Sequence, residues 1–240
     1  MMTVLHVAFG TIALIAAPAA LFARKGSGWH RRFGQLFVGT MAIVLFTAGF
    51  LWQTKGHLFL VPLGGVSAYL IYSGYRAVAR RRRRRPDEIE DRTDMLAAGA
   101  AIVAALGAAY LGLTASTPLL IGIAPALVGI GAIGLSFAIN DIVGFAAQRM
   151  RVGWLLSHFS GMLAAYVSAV TAFLVINAHA VPMLVRWIVP SSIGALAIVA
   201  VTLRHVRLSL PGRRSTIVVE PLPPGNRGVA AGAMDKELVQ

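Results

Sequence analysis

Six histidines and Asp141 are the residues of this chain best suited to chemistry. His6, His57 and His179 fall near one end of the apolar segments that hold or flank them. His30, His158 and His205 fall near the other end. A neutral imidazole is a ligand for haem iron or another metal, and haem b needs two such ligands at similar depth on facing helices. The same side chains are equally at home at a membrane interface, hydrogen-bonded or reaching towards water. His6 and His158 are the two best placed to ligate, but at opposite depths, so they cannot hold one ion. A haem on His158 needs another histidine, or Met162, facing it. Met162 and Tyr166 follow His158 at i+4 and i+8, on the same helix face. No segment carries two histidines spaced for stacked haems.

A polar group gathers at the His158 end: His30, Arg31, Arg32, Asp141, Arg149, Arg151 and His158. It reads either as a salt-bridged network of helix ends or as a pocket for an anionic headgroup or a quinone. The candidate binding residues are therefore His6, His30, Arg31, Asp141, His158, Met162 and Tyr166. The apolar segments carry no Asp, Glu or Lys, and Asp141 stands beside Asn140 just past the end of one. That counts against proton pumping or ion-coupled transport through a mid-depth carboxylate. The absence of cysteine excludes disulfides and thiolate metal sites. With no nucleophile beside a base and no metal-ligand motif, an independent enzyme is the least supported class.

The elements that position these residues are apolar segments long enough to cross a bilayer, a length of about 17–25 residues. They cover residues 4–23, 33–53, 58–79, 95–114, 119–139, 153–176 and 182–203. Pro190 and Arg186 interrupt the last, where the proline predicts a kink. A mean hydropathy of +0.73, with 57% hydrophobic and 13% charged residues, lies outside the range of soluble domains. The fold class is all-α, a seven-helix transmembrane bundle over residues 1–210. A Pro- and Gly-containing tail, 211–240, is expected to be disordered.

Charge orients the bundle. The net charge is +13, and of the 22 Lys and Arg residues only Lys55 and Arg186 fall on one side. The rest lie in or beside the connectors after the first, third and fifth segments, and in the tail. By the positive-inside rule the N-terminus is outside and the C-terminus cytoplasmic. The first segment resembles a signal-peptide core, but its charges follow it rather than precede it, so it reads as an uncleaved anchor. The run Arg80, Arg81, Arg82, Arg83, Arg84 and Arg85 reads as a topology anchor that attracts anionic lipid headgroups, or as a docking site for a partner. Juxtamembrane clustering, without nucleic-acid motifs, argues against nucleic acid despite a pI near 11.5.

Gly99, Gly107, Gly112, Gly122, Gly129, Gly131 and Gly134 make the fourth and fifth segments rich in small residues. These predict close helix packing or a ligand-lined helix. Pro62 with Gly64 and Gly65, and Pro125, are places where the backbone can open towards a substrate.

Two blocks carry a family resemblance. The first is His6, Gly10, Ala13, Leu14, Pro18, then Arg24, Lys25, Gly26, His30, Arg31, Gly34 and Met41. The second is Asp141, His158, Met162, Tyr166, Thr171, Ala172, Phe173 and Asn177, followed by Trp187 and Pro190. From about residue 6 to residue 203 the chain resembles the bacterial membrane proteins grouped as domain of unknown function 2306. It departs at Ala17, where glycine is expected, and at Phe37, where tyrosine is usual. The resemblance implies a multi-helix membrane fold, supplies no activity or substrate, and adds weight to His6, His30, Asp141 and His158. Three functions stay open: binding or moving a small apolar or anionic molecule, haem b- or quinone-dependent redox, and a structural or regulatory subunit.

Overall fold

A computed structural model of the chain describes residues 1–55, 60–82, 88–146 and 150–209. Among these there is no strand, and seven helices follow one another: α1 Met2–Phe22, α2 Gly28–Lys55, α3 Leu60–Arg82, α4 Glu88–Leu113, α5 Pro118–Ala146, α6 Met150–Asn177 and α7 Met183–Ser209. The chain divides into two compact units, Met1–Thr202 and Leu203–Gln240. Of the second, only the last turns of α7 are described. His57, Arg83, Arg84, Arg85, Arg149 and the expected tail lie outside the described residues.

Four helices extend well past the apolar segments, α7 among them, running to Ser209 rather than 203. α2 begins at Gly28 rather than residue 33, α4 at Glu88 rather than 95, and α5 runs to Ala146 rather than 139. Apolarity marks the part of a helix that lies in hydrocarbon, whereas the backbone ladder continues through polar residues until caps or breakers stop it. The extension moves His30, Arg31, Arg32, Asp94 and Asp141 from connectors onto helices. Pro62 lies in the first turn of α3, where its missing N–H costs nothing. Pro18, Pro125 and Pro190 are absorbed inside helices, so α7 runs through Pro190 as one element.

Among the described residues, six helices are long and apolar enough to cross a membrane, through 2–22, 28–51, 92–113, 120–144, 153–177 and 183–205. Helix α3, whose expected segment begins at residue 58 and so starts outside the described residues, is not among them. It carries Ser67, Tyr69, Tyr72, Ser73, Tyr75 and Arg76, and it packs against α2, α4, α5 and α6. A helix enclosed by neighbours meets little lipid, so it can carry polar groups that an exposed span cannot. α1–α2 and α4–α5 form antiparallel pairs around it.

The packing is inside-out relative to a soluble protein. Ala13, Ala98, Ala105, Ala108, Ala138 and Ala165 are fully buried, while Val4, Ile15, Phe46, Val103, Leu113 and Leu196 are exposed. In lipid, large apolar side chains lose nothing by facing outward, and small ones let backbones approach. At the α3–α6 crossing, a Cβ on Gly74 would lie 2.9 Å from the Met162 nitrogen, and one on Gly161 2.9 Å from the Gly74 Cα. Gly131 does the same between α4 and α5, 2.6 Å from the Ala105 oxygen, and Gly112 and Gly134 pack closely as well. At Gly99, Gly122 and Gly129, by contrast, an added Cβ meets nothing within 4 Å.

Candidate functional site

Tyr69, Tyr72, Ser73 and Arg76 stand at i, i+3, i+4 and i+7 of α3 and form one stripe. The stripe faces two carboxylates. Asp94 of α4 accepts from Arg76 Nε at 2.9 Å, from Arg76 Nη2 at 3.2 Å and from the Tyr72 hydroxyl at 2.7 Å. Asp141 of α5 accepts from the Tyr69 hydroxyl at 2.7 Å and from the Ser73 hydroxyl. Each aspartate is only 2% exposed. The expectation that the spans lack acidic groups is therefore corrected: two buried carboxylates lie within α4 and α5. Both are already engaged by α3, which is what keeps such groups tolerable away from water. The signal for this network was present in the polar stripe of α3 and in Asp94. It was hidden because Asp94 reads as a connector residue when α4 is taken to start at 95.

On another face of α3, His158 of α6 meets the backbone. Its Nδ1 lies 2.9 Å from the Gly74 carbonyl oxygen, and a carbonyl can only accept, so Nδ1 carries the proton. His30 of α2 does likewise, with Nδ1 2.9 Å from the Ala20 oxygen at the end of α1. Ala20 belongs to the last turn of α1, whose carbonyls lack helical partners, and Lys25 Nζ also reaches it, at 3.5 Å. Partial burial lowers the Lys25 ammonium below the usual lysine range. Ser27 caps α2 by accepting from the His30 N–H at 3.2 Å, and Gly26, at φ 78°, makes the turn before it. The two imidazole rings stand edge-on to one another, with centroids 6.3 Å apart and planes at 80°.

The other expected site residues separate. Arg31 is exposed, and Arg32 sits 5.7 Å over the Trp29 ring. Met162 packs on Gly74 rather than pairing with a histidine across the gap. Tyr166 stands edge-on to Phe37, with centroids 6.5 Å apart, two turns further along both helices than the histidine pair. His6 is at the other end of α1, about 21 Å from Ala20 at 1.5 Å of rise per residue. There its Nδ1 bonds Thr47 Oγ1 at 3.0 Å and the Val44 oxygen at 3.2 Å. The expected polar group therefore resolves into His30 with His158, and Asp141 with α3. The Arg151 side chain lies outside the described residues.

A groove of about 380 Å³ runs between α2 and α3. Val38, Ala42, Leu45, Ala68, Ile71, Tyr72 and Tyr75 line it, and its surface is almost wholly apolar. Tyr72 leads to Asp94 and Arg76. Among the described residues, the Tyr75 hydroxyl makes no hydrogen bond. No described group of three or more His, Cys, Asp or Glu side chains is arranged to hold a metal.

Fold and site together define an all-helical, multi-pass membrane protein whose central helix carries a buried polar network. No protein-family model, curated protein or solved structure matches the chain.

Proposed function

We propose that this protein binds a small lipid-soluble molecule with a polar or anionic head, in a bacterial cytoplasmic membrane, with its N-terminus outside and its C-terminus cytoplasmic. The α2–α3 groove carries the reading. Its apolar walls suit a hydrocarbon body, and the Tyr75 hydroxyl and the Tyr72–Asp94–Arg76 chain suit a head that accepts or donates hydrogen bonds. Pockets of about 300–1,000 Å³ are the usual size for small ligands, and this one is at the lower end. Arg80, Arg81, Arg82, Arg83, Arg84 and Arg85 belong to the same proposal as contacts for anionic headgroups on the cytoplasmic side. So does membership of the family grouped as domain of unknown function 2306, which rests on the two residue blocks alone.

Native mass spectrometry of protein released from mild detergent, with a membrane quinone and an anionic phospholipid as probes, tests the groove. Ala42→Trp fills it and is expected to abolish an adduct that the wild-type protein retains, with helicity unchanged by circular dichroism. Tyr75→Phe, a gentler change, is expected to weaken the adduct. Equal adducts in all three proteins would remove the groove as the binding site. A second reading, haem- or quinone-dependent redox, is favoured by one observation, the neighbouring His30 and His158 rings.

A further inference from the structure

We propose that His30 and His158 together hold one transition-metal ion between their Nε2 atoms, from opposite sides, either as the iron of haem b or as a bare cuprous ion. The proposal does not rest on the groove. Both rings donate Nδ1–H to a backbone carbonyl, so in the neutral ring Nε2 holds the free lone pair. Metal-binding histidines are typically oriented in this way, with the second nitrogen tied to a carbonyl or carboxylate.

The spacing agrees. With metal–nitrogen bonds of about 2 Å, two imidazoles on opposite sides of one ion have centroids about 6 Å apart, against roughly 5 Å at a tetrahedral angle. The observed separation is 6.3 Å. The frame is firm, because the Gly74–Gly161 contact sets α6 against α3, and the Ser27 cap sets the start of α2. Gly34 lies one turn beyond His30 on the same face, and a Cβ there would meet nothing within 4 Å. Phe37 and Tyr166 close the next layer.

The ligand count narrows the ion. No third His, Cys, Asp or Glu joins the pair among the described residues, so a four-coordinate zinc site is not built here. Haem brings four ring nitrogens of its own, and cuprous copper accepts two ligands in line. Lys25, beside the Ala20 carbonyl that holds His30, opposes a bare divalent cation but suits the carboxylates of a haem.

The test is protein expressed with haem precursor, purified in mild detergent, and examined by oxidised and dithionite-reduced absorption spectra with iron and copper analysis. A second sample is titrated with cuprous ion under reductant. Support is either a stoichiometric low-spin Soret band that shifts on reduction, or one copper per chain without a Soret band. His30→Ala and His158→Ala should each lose the metal, and His6→Ala should keep it. Added imidazole should restore binding to the alanine variants, which separates a lost ligand from a lost fold. No stoichiometric metal in wild-type protein under either loading overturns the proposal. So does metal that survives both His30→Ala and His158→Ala.

Discussion

Arg76 and Asp94 show how differently single polar contacts weigh inside this bundle. Hydrogen bonds between membrane helices average about 0.6 kcal/mol, because the separated helices find other partners. Removing one member of a buried ion pair costs about 3–5 kcal/mol, because the other charge stays buried. Arg76→Ala is therefore expected to destabilise the protein several times more than Tyr69→Phe, which leaves Asp141 bonded to Ser73. The double variant Arg76→Met, Asp94→Leu should regain most of the loss. Denaturant unfolding in mixed micelles reads all three, and equal costs for Arg76→Ala and Tyr69→Phe would show that Asp94 does not depend on Arg76.

Helix α3 is the element on which the others depend. It carries more polar side chains than its neighbours and packs against four of them. Tyr69, Tyr72, Ser73 and Arg76 face α4 and α5. Ser67 reaches Ser168 of α6 at 2.6 Å, and Gly74 meets Gly161. Because a Cβ on Gly161 would press on the Gly74 backbone, Gly161→Ala forces α6 away from α3. Overpacking of this kind costs about 1–3 kcal/mol, and here it also lengthens the His158–Gly74 bond. Gly99→Ala meets open space and should be neutral, or stabilising by up to about 1 kcal/mol through helix propensity. Thermal unfolding of the two variants, compared side by side, checks the contrast. Similar melting temperatures would mean the crossing yields more easily than its geometry implies.

For the whole molecule, the decisive quantity is the asymmetry of charge between the two ends of the helices. An arginine or lysine retained on the cytoplasmic side biases each hairpin during insertion, and many act together. The chain has no cysteine, so single introduced thiols report sidedness without background. Ser116→Cys, in the α4–α5 connector, should react with an impermeant thiol reagent added to intact cells. Arg24→Cys, in the α1–α2 connector, should react only after permeabilisation. The reverse pattern would invert the proposed orientation.

The sequence alone determined that the described chain is helical, that it holds seven helices, and where most of its apolar stretches lie. Those properties depend on local apolarity and length, which a linear reading sees directly. It also located His30 and His158 at the same end, since depth follows from position along a span. Only the tertiary structure decided which polar groups meet. Helices α4 and α5 run on past their apolar stretches, bringing Asp94 and Asp141 into the interior, and α3 supplies the hydroxyls and the guanidinium that make them tolerable there. It also set the His158 ring beside that of His30. Which face of a helix a neighbour covers depends on packing between segments far apart in the chain, here set by close glycine contacts, and no local pattern encodes that choice.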